Sequence, residues 1–92
     1  MSSSSYKVRL SEGARGALGD LSKTDATLCK RVALQLLSLQ KNPRPEGSSP
    51  LVLDGKPSLS EYQWDLDGGW IAYVVDDHRK TVDVGLIRIR SY

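Results

Sequence analysis

Two arginines, Arg88 and Arg90, sit two positions apart near the end of a stretch that alternates apolar and polar residues. On an extended strand that spacing sends both guanidinium groups to one face, a small cationic cluster suited to phosphate or to an acidic protein segment. His78 is the single histidine, the one side chain whose ordinary titration falls near neutrality, and so the chain's candidate general base. It lies in a polar run, Asp76-Asp77-His78-Arg79-Lys80, where Arg79 and Lys80 add two more cations. The plainer reading of that run is a solvated turn. Trp64 and Trp70 offer aromatic faces on which bases can stack. Asp76, Asp77 and Asp83 lack both a metal-ligand spacing and a second histidine, so turn acids explain them and no metal or cofactor is expected. Cys29 is alone, which excludes an internal disulfide and a cysteine-cluster metal site; it reads as a packing residue.

The elements that must position these groups are legible from periodicity. Tyr62 to Leu66 alternates, with Tyr62, Trp64 and Leu66 on one face, the face expected to be core. Asp67-Gly68-Gly69 then supplies turn glycines, and Trp70 to Val75 is almost wholly apolar, the composition of a central strand covered on both sides. Trp70 borders the turn and is expected to be half-exposed; Tyr73 is expected to be buried with its hydroxyl hydrogen-bonded. Thr81 to Arg90 resumes the alternation, with Val82, Val84 and Leu86 opposed by Thr81, Asp83 and Gly85. Three strands in an antiparallel meander follow.

Upstream, Tyr6 to Leu10 reads as a first strand and Ser11 as the N-cap of a helix over Glu12 to Leu21. A second helix begins at Thr24 or Asp25 and runs to about Lys41. Its stripe is Leu28, Val32, Leu36 and Leu39, broadened by Cys29, Ala33 and Leu37. Asn42-Pro43-Arg44-Pro45 ends it. Lys23, Lys30, Arg31 and Lys41 fall off the stripe; they read as a solvated face, or as contacts to the phosphates of ribosomal RNA or another polyanion. Glu46 to Ser60 reads as a loop in which Leu51-Val52-Leu53 is a short strand or a core anchor. The fold expected is α+β: a twisted antiparallel sheet with an N-terminal two-helix hairpin on one face.

Ninety-two residues make one small domain, expected over residues 6–92 behind a disordered N-terminal tail at 1–5. The net charge of +2 hides an asymmetry: eight Lys/Arg against four Asp/Glu before residue 47, five against seven after it. The basic excess belongs to the helical half, yet it is no larger than solubility alone explains. No apolar run approaches the roughly 20 residues that span a bilayer, and the N-terminus lacks a signal-peptide layout, so a cytoplasmic location is expected.

In order and spacing the chain resembles the RelE/ParE superfamily of toxins from type II toxin–antitoxin pairs. The resemblance is carried by Tyr6 to Ser11 with Ala14 and Leu18, by Leu36 and Leu39 before Asn42-Pro43-Arg44-Pro45, by Tyr62 to Tyr73, by Asp76-Asp77 with Thr81 to Val84, and by Arg88 with Tyr92. It implies a RelE-like β-α-α-β-β-β fold, a cognate antitoxin, and metal-independent, ribosome-dependent cleavage of mRNA. In that endoribonuclease reading Arg88 stabilises phosphate and Tyr92 orients the flanking base, while contacts to nucleic acid or a partner come from Arg90, Arg79, Lys80, Trp70, Lys30 and Arg31. The chain departs from the nuclease pattern at Gln63, Asp65 and Trp70, where relatives carry basic residues, and at Ile87, where a histidine is common. Those departures fit the alternative the resemblance also implies: a ParE-like, non-nuclease inhibitor of DNA gyrase, or a degenerate toxin that only binds a partner protein.

Overall fold

In the computed structural model, which describes residues 5–66 and 68–89, the chain runs β1 (Lys7–Leu10), α1 (Glu12–Thr24), α2 (Ala26–Ser38), β2 (Ser48–Leu53), β3 (Lys56–Leu66), β4 (Gly69–Asp76) and β5 (Thr81–Ile89). Most of the tail expected at 1–5 lies outside the described residues, as do Arg90 and Tyr92. The five strands form one sheet in the order β1-β5-β4-β3-β2. β2 to β5 are an antiparallel meander, whereas β1 runs parallel to β5 at one edge, so the sheet is mixed rather than purely antiparallel. β2 runs antiparallel to β1, and the three reversals of the meander leave β5 antiparallel to β2 and hence parallel to β1.

Local signals explain most boundaries. The Ala14 N–H donates to Ser11 Oγ at 3.0 Å, the N-cap bond expected of that serine. The glycines of α1 do not end it at Leu21; it continues to Thr24, and Asp25 alone separates it from α2. Asp25 caps twice, its N–H donating to Leu21 O and its carboxylate accepting from Leu28 N–H. The regular part of α2 stops at Ser38, after which the N–H groups of Gln40 and Lys41 bond three residues back in a tightened last turn. Leu51-Val52-Leu53 is strand, the first of its two alternatives, and the rest of the stretch expected as a loop is largely the remainder of a hairpin. Asp54 and Gly55 both have positive φ (53° and 78°), the geometry of a type I′ turn, and they join β2 to a β3 that starts six residues before Tyr62.

The helices cover one face of the sheet. Ala14, Leu21, Val32, Leu36 and Leu39 from the helical side meet Trp64, Leu66, Ile71, Tyr73, Val75, Val82, Val84 and Ile87. Tyr73 is 2% exposed and its hydroxyl donates to Pro43 O at 2.9 Å, which pins the loop after α2 to the core. Trp64 and Leu66 lie in the core as their alternation requires, and Cys29 is a half-buried packing residue whose thiol donates to Leu18 O. Two expectations fail. β4 is covered on one face only, since Val74 is 39% exposed, and Leu37, assigned to the buried stripe, is 54% exposed.

The alternation in β5 breaks once. Ala72 pairs with Leu86 and Tyr73 with Val84, leaving Gly85 unpaired as a bulge. Past it the parity inverts: Ile87 enters the core at 6% exposure and Leu86 turns outward at 39%, the reverse of the simple pattern. Arg88, which would otherwise point with Val82 and Val84 under the helices, is delivered to the open face.

The layering makes a stability contrast. Ile71→Ala, at a fully buried position, is expected to lose about 2–5 kcal/mol in denaturant unfolding. Leu59→Ala, at 93% exposure, is expected to stay within about 0.5 kcal/mol of the parent.

Candidate functional site

On the uncovered face, β3, β4 and β5 bring Asp65, Trp70 and Arg88 into one cross-strand row: Asp65 pairs with Trp70, and Trp70 with Arg88. Asp65 and Arg88 are exposed and Trp70 is half-buried, so Trp70 has an acidic and a basic residue as its cross-strand neighbours. Two strand spacings put the outer backbones about 10 Å apart. β1 pairs Thr81 to Val84 of β5, so among the described residues the outer edge of the half of β5 that carries Arg88 has no strand partner. The end of this row borders a groove of about 750 Å³ between α1 and the tips of β4 and β5, lined by Ala17, Asp20, Leu21 and Thr24 opposite Gly69, Trp70 and Arg88.

The hairpin that sets the row depends on its glycines. Gly68 has φ +80°. A side chain at Gly69 would run into the backbone carbonyl of Arg88, so the close approach of β4 to β5 here tolerates no Cβ.

The neighbouring rows contain little positive charge. Gln63, Ala72 and Leu86 form the next row, then Glu61, Val74 and Asp83. Arg9 on β1 is engaged by Asp83, with bonds of 2.7 and 3.1 Å from Nε and Nη2, and that carboxylate raises its pKa. The open face is thus an apolar strip of Trp70, Ala72, Val74 and Leu86 with acids at Glu61 and Asp65 and the Arg88 cation at one end.

His78 is not brought to Arg88. The β4–β5 turn lies at the opposite end of the sheet, beyond Asp76, six residues along β4 from Trp70, or about 20 Å. His78, Arg79 and Lys80 are exposed there. The N–H groups of His78 and Arg79 both donate to Asp76 Oδ1 at 3.0 Å, and these bonds, Arg79's foremost, hold the Asp76 carboxyl below its usual range. Lys80 adopts φ +56° and places its ammonium 4.9 Å from the Tyr6 ring centroid. The structure thus places His78, Arg79 and Lys80 together at the turn and apart from Arg88. Lys30 and Arg31 lie on the outer face of α2, on the covered side of the sheet. Among the described residues no group of three or more His, Cys, Asp or Glu is arranged to hold a metal ion.

A cluster that sequence reasoning missed ties this turn to the loop after α2. Arg44 bonds Asp77 twice (Nη2 to Oδ2 2.8 Å, Nη1 to Oδ1 3.3 Å), donates from Nε to the Tyr62 hydroxyl at 2.8 Å, and Tyr6 donates its hydroxyl to Asp77 at 2.6 Å. Arg44 is separated from its partners by 18 and 33 residues, so no local pattern announces it. These bonds, led by Arg44 and then Tyr6, depress the Asp77 pKa to about 2 and raise that of Arg44. A carboxylate depressed in the folded state contributes stability that is complete above its unfolded pKa of about 3.9 and fades as pH falls toward 2. Thermal melts of the parent are expected to decline between about pH 4 and pH 2, and Asp77→Asn is expected to flatten part of that decline.

No protein-family model and no curated protein sequence matches the chain. Solved structures do match its fold. It is similar to the toxin–antitoxin complex RelBE2 from Mycobacterium tuberculosis (TM-score 0.69, 21% identity, 87% of this chain and 91% of that one). It is also similar to the YoeB dimer from Staphylococcus aureus (TM-score 0.70, 17% identity, 94% and 98%). A third likeness is to a double arginine-to-alanine mutant of the E. coli toxin RelE in the free state (TM-score 0.57, 24% identity, 87% and 78%). The chain has the fold of the RelE and YoeB toxins over nearly its whole length.

Proposed function

We propose that the chain is the toxin member of a type II toxin–antitoxin module, neutralised by a cognate antitoxin and acting in the cytoplasm through the open face of its sheet. The observation that carries this reading is the placement of Arg88 beside Trp70 at an unpaired strand end, on a fold otherwise similar to known toxins. A guanidinium next to an aromatic face suits a nucleotide: the cation meets the phosphate and the ring supports the base.

In the nuclease form of the proposal the target is mRNA on the ribosome. Arg88 stabilises charge at the scissile phosphate and Trp70 stacks on a flanking base, with Tyr92 and Arg90, outside the described residues, completing the contact. A second form is favoured by the rest of that face. Asp65 stands beside Trp70, Glu61 lies two cross-strand rows away, and Ile87, at the position where relatives often carry a histidine, is buried. Carboxylates repel a scissile phosphate, while the apolar strip suits a protein surface, so this form is a binding inhibitor with DNA gyrase as the alternative target.

Cell-free translation on programmed ribosomes, run beside a gyrase supercoiling assay, separates them. Cleavage in the A site that Arg88→Ala lowers by about 10²–10³-fold supports the nuclease form. Intact mRNA with inhibited supercoiling, relieved by Trp70→Ala, supports the binding form. Neither activity, in a folded protein, refutes the toxin reading.

A further inference from the structure

The row of Asp65, Trp70 and Arg88 holds an acid and a base that do not use each other. Elsewhere the fold pairs such groups: Arg9 is bonded to Asp83, and Arg44 to Asp77. Among the described residues neither Asp65 nor Arg88 has a hydrogen-bond or ion-pair partner. Both are exposed, and the strand that carries Trp70 holds their backbones about 10 Å apart. That is the reach of one nucleotide from its phosphate to the far edge of its base.

We propose that this row is a guanine-selective nucleotide subsite: Arg88 meets the phosphate, Trp70 supports the ring and the Asp65 carboxylate reads the edge of the base. The proposal rests on the nucleotide reading of Arg88 and Trp70 and names the base which that reading leaves open. An ionised carboxylate only accepts hydrogen bonds, through two oxygens side by side. Guanine alone among the four bases presents two adjacent donors, N1–H and the N2 amino group, so it can bind such a group at both oxygens. Adenine and cytosine set an acceptor nitrogen beside their one amino donor, and uracil flanks its single N–H with carbonyls. Each of these turns a lone pair toward the carboxylate, and a site built for two donors rejects it. With the phosphate two strands away at Arg88, the negative charge of Asp65 falls on the base end of the ligand.

The test titrates the full chain with 5′-GMP, 5′-IMP, 5′-AMP and 5′-CMP, and with tetranucleotide RNAs that carry each base once among uridines, following backbone amide resonances. The guanine ligands are expected to shift amides around Asp65, Trp70 and Arg88 and to bind about tenfold more tightly than the adenine and cytosine ones. Inosine, which lacks the N2 amino group, is expected to lose most of that margin. The decisive variant is Asp65→Asn. Its amide sets a donor beside an acceptor, the complement of adenine's edge, so the preference is expected to move from guanine to adenine. Asp65 is exposed, and a melting curve confirms that the variant is folded. Tighter binding of the guanine RNA than of GMP assigns the subsite to an RNA strand, and equal binding to a free nucleotide; both support it. If all bases bind alike and Arg88→Ala abolishes the binding, the nucleotide reading stands and the guanine subsite is overturned. The subsite is also overturned if Asp65→Asn tightens every base equally, the mark of plain charge repulsion. If no nucleotide shifts these amides, the nucleotide reading falls together with it.

Discussion

Val84 and Leu86 are two residues apart, yet they sit on opposite faces of the sheet because Gly85 is accommodated between them as an unpaired residue. Strand geometry has a period of two, so one extra residue reverses the destination of everything beyond it. Upstream of the bulge β5 fills the core with Val82 and Val84; downstream it fills the core with Ile87 and sends Leu86 and Arg88 to the uncovered side. Burying an arginine under α1 without a partner would cost several kcal/mol, far more than the packing its stem would gain. The bulge removes that conflict and at the same stroke creates the only row in which Arg88 and Trp70 are neighbours among the described residues.

The two ends of the sheet have different work. At the β4–β5 turn, Arg44, Tyr62, Tyr6 and Asp77 engage one another and hold the loop after α2 and the N-terminal residues against the meander. Their charges are satisfied within the fold and are committed to holding it. At the other end, Trp70 and Arg88 stand at an open strand edge beside a groove. One end fastens the domain and the other presents a surface, so the cations near His78 and the cation at Arg88 have different surroundings.

Much of the fold was legible. The cap at Ser11, the buried Tyr73, the core face of Trp64 and Leu66 and the half-buried Trp70 all follow from side-chain chemistry and period, while the second cap narrowed only to Thr24 or Asp25. What escaped depends on longer range or finer signals. Asp54-Gly55 is a strong hairpin pair, but the prolines and serines around it hid the start of β2 and the first part of β3. The parallel seating of β1 on β5 joins residues more than seventy positions apart and leaves no local trace. For the site, the alternation was readable and the bulge was not: glycine in a strand permits a bulge without requiring one. Arg44's double bond to Asp77 was hidden for the same reason as β1, sequence distance.

The account stands on which way residues 86 to 88 face. Side-chain nuclear Overhauser contacts in the free protein measure that directly. Contacts between the Trp70 ring and the Arg88 side chain, with the Ile87 methyls touching buried core residues such as Ile71, are the result expected. Contacts from Arg88 to Ala17 or Leu21, with Leu86 in the core and Ile87 at the surface, would contradict it.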